Sequence, residues 1–200
     1  MDKLRGLFPG GVFVGKPGEW AQFRIGPAPY QYLRYSVLSK EQVPGGEGLW
    51  TEVDLGPTPE GPGFIGLKML TQGDPVAGSK MLRGIFRLSV GKATELSADK
   101  LAKVGHSSKA RTEVGWPSAD QAEPERKMVP AGTFDAVKVK QQGLTVWLAA
   151  DAPVFHLVRM DIGPTTMELY ATGHDAQDRV GQPQQKLPPP QQGAADGGAG

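Results

Sequence analysis

Apolar residues in this chain recur at every second position in short runs, and glycine or proline ends each run. Side chains take turns between two faces only along a β-strand, so this spacing predicts strands rather than helices. The 200 residues include 28 glycines and 18 prolines, enough to punctuate many short strands. Trp20-Ala21-Gln22-Phe23-Arg24-Ile25 reads as a strand stopped by Gly26-Pro27. Tyr30 to Lys40 alternates and stops at Pro44-Gly45-Gly46, Leu49 to Leu55 ends in the Gly56–Gly63 stretch, and Gly84 to Val90 makes a fourth. Thr133–Lys140 and Leu144–Ala149 flank Gln141-Gln142-Gly143, and Phe155–Ile162 and Thr165–Thr172 flank Gly163-Pro164. Strands joined by such short turns form an antiparallel meander.

Helix signals are few. Ser97 is placed to cap a short helix through Val104, with Gly105 as its stop. Phe64–Gln72 reads as a turn of helix or an irregular strand. The expected fold is mainly β: a strongly curved antiparallel sheet or half-open barrel with a short helix or irregular plug. Residues 1–17 form a lead-in and 18–175 the β domain. Residues 176–200 form a Pro/Gln/Gly-rich tail with too little apolar surface to offset ordering entropy.

Alternation also separates two faces. One carries Phe23/Ile25, Leu33/Tyr35/Val37, Val53/Leu55, Phe86/Leu88/Val90, Val137/Val139, Leu144/Val146/Leu148 and Val158/Met160/Ile162, an aliphatic set expected to form the core. The other carries Trp20, Tyr30, Tyr32, Trp50, Trp147 and Tyr170 among charged residues. Large aromatics on a polar face serve either as cross-strand pairs or as the wall of a groove. Trp20, Tyr32, Trp50, Trp147 and Tyr170 are the candidates for such a groove.

Charge and motifs narrow the chemistry. The 22 basic and 21 acidic residues nearly balance, without the basic excess that releases counterions from nucleic acid. Lys100, Lys103, His106, Lys109 and Arg111 form the one basic cluster, read as a solvated helix end and loop. There is no cysteine, which excludes thiolate catalysis, thiolate metal sites and disulfides. The longest apolar run, Val146 to Ala150, is far short of the roughly 20 residues of a membrane helix. The N-terminus holds no apolar signal core.

Gly61-Pro62-Gly63-Phe64-Ile65-Gly66 matches a dinucleotide-binding fingerprint in letters only. It follows Pro57-Thr58-Pro59-Glu60 rather than a buried strand, and no βαβ period surrounds it. Gly105-His106-Ser107-Ser108-Lys109 lacks the last glycine of a nucleophile elbow. His106, His156 and His174 never fall four residues apart, so no local metal half-site exists. His156 is expected as a hydrogen-bonded histidine at the core edge. No catalytic residue, metal or cofactor is assigned, and the chain is expected not to be an enzyme.

Several phrases resemble a bacterial family of unknown function whose fold is similar to that of the periplasmic lipoprotein carriers. They are Gly18-Glu19-Trp20-Ala21-Gln22-Phe23, Leu49-Trp50-Thr51-Glu52-Val53, Val129-Pro130-Ala131-Gly132-Thr133-Phe134 with Val137-Lys138, the strand at Trp147, and Pro153-Val154-Phe155-His156-Leu157-Val158. The resemblance implies a curved sheet around a plug in an exported, envelope-facing protein. Segment 91–128 departs from it, and the chain shows neither a signal peptide nor a lipobox cysteine. The aromatic second face together with these phrases leads to the expectation of a non-enzymatic envelope protein that binds a lipid, an acyl chain or a lipoprotein segment in a half-open barrel. The competing expectation is a protein-interaction module tethered by its tail, with a cytoplasmic location as the alternative to the periplasm.

Overall fold

The computed structural model describes residues 13–61, 63–73, 79–89, 91–102, 122–141 and 143–183. Among these residues eleven strands form one antiparallel sheet: β1 Trp20–Gly26, β2 Gln31–Val43, β3 Gly46–Gly56, β4 Ile65–Gln72, β5 Lys80–Leu88, β6 Thr94–Glu95, β7 Ala122–Val129, β8 Gly132–Gln141, β9 Leu144–Leu148, β10 Leu157–Ile162 and β11 Thr165–Gly173. The class is the mainly β, antiparallel one that the alternation implies.

In space the strands run β6-β5-β4-β3-β2-β1-β11-β10-β9-β8-β7. Two meanders are therefore joined where β1 pairs with β11. The first and last strands meet in mid-sheet, and β6 and β7, neighbours in sequence, form its two edges. A sheet this wide does not stay flat, because each strand is rotated about 20–25° from the last. At one end it curls until β7 touches β10 and β11, and the Ala131 N–H donates to the Leu169 carbonyl at 3.2 Å.

The largest apolar cluster sits at the β1–β11 seam, where Ala21, Phe23, Val37, Val158 and Leu169 pack with the loop between β9 and β10. Phe155 in that loop meets Tyr35 and Phe13 edge-to-face at 4.6 and 5.7 Å. The loop holds two left-handed residues, Val154 (φ 68°) and His156 (φ 54°). A β-branched residue resists that conformation. Its burial at 0% exposure and the Ala149 N–H bond to the His156 carbonyl at 2.8 Å hold it there. Phe155 and His156 thus lie outside the strand expected to start at 155, which begins at Leu157. His156 is buried as expected, with a ring nitrogen 3.1 Å from the Ala149 carbonyl.

Other boundaries move for physical reasons. Of the two readings of Phe64–Gln72 the strand holds and the helix does not: Ile65–Gln72 pairs with β3 and β5, with a break in register at Leu70/Thr71. Leu67 and Met69 face one side and Leu70 the other, so no single-face contrast marked it. β7 was missed because Ala122-Glu123-Pro124-Glu125-Arg126-Lys127 is almost all polar. It is an edge strand paired only with β8, where a proline and charges are tolerated. Gly61 and Gly63–Gly66 lead into a strand, not a helix. The described part of the Ser97 helix covers 98–102, with the Leu101 N–H on the Ser97 carbonyl at 2.9 Å. Val90, Lys103, His106, Lys109 and Arg111 lie outside the described residues.

The register writes the two faces as rows across strands. Phe23, Leu33, Leu55, Ile65 and Leu88 form one aliphatic row, and Tyr35, Val53, Leu67 and Phe86 another. On the opposite face run Gln22, Arg34, Asp54, Gly66 and Arg87, beside Trp20, Ser36, Glu52, Lys68 and Ile85. Burial reverses the expectation for this half of the sheet. Leu33, Val53, Leu55, Ile65, Leu67 and Phe86 are only half-buried, and Leu88 is 61% exposed; in the other half Ile162, at the end of β10, is 52% exposed. The charged rows are the buried ones.

Candidate functional site

A segment beyond β11 closes the polar face. Residues 174–183, here called the strap, run from β1 across to β5. Ala176 N–H donates to the Gly18 carbonyl at 2.8 Å, and the Trp20 indole N–H donates to Asp175 Oδ1 at 2.7 Å. Farther on, Val180 is 3% exposed and packs with Trp50, Leu70 and Ile85. The expected tail boundary at 175 is therefore corrected. One valine and a set of polar contacts dock residues that show no apolar periodicity.

Beneath the strap lies a layer of buried charge. Glu52 is 1% exposed, Asp54 3%, Lys68 and Arg87 6%, and Arg34 8%. Each has partners, as buried charge requires. Lys68 Nζ donates to Asp178 Oδ2 at 2.6 Å. Arg87 Nη2 donates to Asp54 Oδ1 at 3.0 Å, and the Gly63 N–H donates to Asp54 Oδ2 at 2.9 Å. Glu52 accepts the Arg179 N–H at 3.0 and 3.2 Å and the Val180 N–H at 3.0 Å. The loop 57–63 closes the remaining side, taking Gln22 Nε2 on the Pro59 carbonyl at 2.9 Å and Arg179 Nη1 on the Gly61 carbonyl at 3.1 Å.

This packing moves titrations. Burial pushes the Glu52 carboxyl up to about 7, and neighbouring Asp178 adds to the rise, against the two strap N–H groups. Burial also acts to raise Asp178, but the Lys68 ammonium and the Gly181 N–H outweigh it and leave that carboxyl below its usual range. Arg34 falls to about 10, through burial first and the nearby Arg179 guanidinium second. A carboxyl titrating near neutrality beside a second acid has the equipment of a general acid or base. Here the strap seals it. Among the described residues, clefts of about 380 and 300 Å³ open at Lys140–Gly143–Asp161 and at Arg24–Tyr30–Arg159, away from Glu52.

The five groove candidates share this polar face but fall into separate clusters. Tyr32 and Tyr170 meet edge-to-face at 5.0 Å. Trp20 lies under Arg34 at 3.7 Å. Trp50 sits under Lys68 at 5.0 Å and Arg83 at 5.5 Å, and its N–H donates to Glu41 at 2.6 Å. Trp147 is covered by Lys127 at 3.9 Å, with Lys138 and Arg159 at 5.5 and 5.6 Å. Trp50 and Trp147 are only 8% and 5% exposed. The cations answer the negative ring faces. Trp116 lies outside the described residues.

Sequence reasoning missed Glu52, Asp54, Lys68, Arg87, Asp178 and Arg179. The available signal was Trp50-Thr51-Glu52-Val53-Asp54, which puts two acids on the tryptophan's side of one strand. Among the described residues, no three His, Asp or Glu groups are arranged to hold a metal ion, and no helix is long and apolar enough to cross a membrane.

On the aliphatic side, the chain beyond β6 turns back over the sheet, since a Cβ at Gly84 would meet Leu96 and Leu101 at 2.9 Å. The rows around it keep their partial exposure.

No protein-family model and no curated protein matches the chain. Among solved structures it is similar to a candidate exported protein of YmcC-like fold from Bacteroides fragilis. Identity is 13%, coverage is 81% of this chain and 98% of that one, and the TM-score is 0.35. A likeness of that degree fixes neither activity nor ligand.

Proposed function

We propose that this chain is a non-enzymatic, envelope-associated protein that binds a lipid or acyl chain against its aliphatic sheet face. The observation that carries the reading is the inverted burial. The charged face is sealed by the strap, while Leu33, Val53, Leu55, Leu67 and Phe86 stay half-buried and Leu88 is 61% exposed. Apolar rows left open over several strands mark a binding surface more often than an idle one. The envelope part of the reading rests on the sequence phrases described above.

Displacement of a fluorescent fatty acid from the full chain tests it. Uptake by the native protein, lost in Leu67→Glu with the fold intact by circular dichroism, supports the reading. Absence of uptake rejects it in favour of an interaction module. The feature favouring that second reading is edge strand β7, where Met128 is 79% exposed.

A further inference from the structure

We propose that the strap is a pH-sensitive latch: residues 174–183 stay docked on the polar face while Glu52 carries a proton, and dock weakly once that proton is lost.

The geometry begins with an imbalance around Glu52. Every element packed against it brings charge: Arg34 from β2, Asp54 from its own strand, Lys68 from β4, Arg87 from β5, and Asp178 and Arg179 from the strap. Yet the cations are engaged elsewhere. Lys68 is bound to Asp178 at 2.6 Å and Arg87 to Asp54 at 3.0 Å. Arg179 lies 3.8 Å from Asp54, and Arg34 stacks on Trp20. Glu52 is left with the strap N–H groups and a carboxyl–carboxyl hydrogen bond with Asp178. A protonated Glu52 suits that place, because it adds no charge next to Asp178. An ionised one sets a buried anion beside the Asp178 carboxylate.

The sign of the coupling follows. Docking buries Glu52 and brings Asp178, the two causes that raise its carboxyl to about 7 from the ordinary 4.5. Release restores water and removes Asp178, so the carboxyl returns toward its ordinary value. Docking therefore takes up a proton. It weakens as pH rises from 4.5 through 7 and levels off above, with a limit on the order of a hundredfold. Asp178 acts in the opposite sense, since its carboxyl is held low when docked. Docking is lost again as pH falls below the ordinary aspartate range, and the latch is tightest at about pH 4 to 5. Strap and aliphatic face lie on opposite sides of the sheet, so this inference stands whether or not a lipid binds.

Hydrogen exchange of the full chain, read by mass spectrometry from pH 5 to 8 and corrected for intrinsic rates, tests the latch. Protection of peptides covering 174–183 is expected to fall at least about tenfold over that range, to a level below that of β3 and β4. Glu52→Gln, which fixes a neutral side chain, is expected to hold the strap protected at every pH. Should that variant not fold, Asp178→Asn removes the neighbouring acid and is expected to move the wild-type transition to lower pH. A flat wild-type profile, an unchanged slope in Glu52→Gln, an unmoved transition in Asp178→Asn, or strap protection that stays level with that of β3 and β4 at pH 8 overturns the proposal.

Discussion

Arg87 of β5 reaches Asp54 of β3 across the intervening strand, because the residue between them in β4 is Gly66. The register aligns Asp54, Gly66 and Arg87 in one row, and the guanidinium passes over the bare backbone to bond at 3.0 Å. The same gap admits the strap: a Cβ at Gly66 would stand 2.7 Å from Val180 Cγ2 and 3.3 Å from Arg87 Nη2. Gly66→Ala is therefore expected to destabilise by about 1–3 kcal/mol through overpacking, read as a lower urea midpoint. An unchanged midpoint would show that Val180 and Arg87 shift aside at no cost.

Asp54 anchors two segments at once, Arg87 from the sheet and the Gly63 N–H from the loop. Removing it strands a buried guanidinium, which costs about 3–5 kcal/mol. Asp54→Ala is expected to lower the melting temperature sharply, and Asp54→Asn, which keeps an acceptor, to lower it less. Equal melting temperatures for the two variants would mean that the acceptor is not what holds the row.

Val139 and Lys138 are sequence neighbours on opposite faces of β8. Val139 is 0% exposed and packs against Leu148, whereas Lys138 pairs with Glu125 at 2.9 Å near the surface. Val139→Asp buries an unpaired charge and is expected to cost about 4 kcal/mol or more. Lys138→Ala is expected to cost about 1 kcal/mol or less. Chemical denaturation of both variants checks the register, and comparable losses would refute it.

Trp50 is walled by Leu70, Ile85 and Val180. Trp50→Ala is expected to destabilise by about 3–5 kcal/mol while leaving fatty-acid affinity of the folded fraction unchanged, since the aliphatic rows lie on the other face. Isothermal titration of the variant, beside its urea curve, separates the two effects. A selective loss of affinity would return Trp50 to the role of groove wall.

The Glu52 carboxyl also links overall stability to pH. Its folded-state value is raised to about 7, so the native state binds a proton that the unfolded chain releases above its ordinary range. That contribution is full below about pH 4.5 and is lost as pH rises through about 7, with a ceiling near 3 kcal/mol. Urea midpoints at pH 5 and pH 8 are expected to differ in that sense, and Glu52→Gln to narrow the difference. A midpoint that rises over the same interval in the native chain contradicts the assignment.

Much of this architecture was written in local pattern. Alternation in Trp20–Ile25, Leu49–Leu55 and Thr133–Lys140, with turn residues between, determined strands, hairpins and the division of side chains into two faces, because strand geometry makes that division automatic. β4 read only as a turn of helix or an irregular strand because it carries apolar side chains on both faces, and β7 escaped because it carries almost none. Only tertiary structure decided which face would be sealed. Alternation says that Glu52 and Val53 point opposite ways, but not which side receives a cover. The cover comes from Asp178, Arg179 and Val180, more than a hundred residues along the chain from Glu52. It docks through main-chain donors, an ion pair and one valine. Such contacts leave no periodic trace in sequence, since backbone N–H groups are common to nearly every residue.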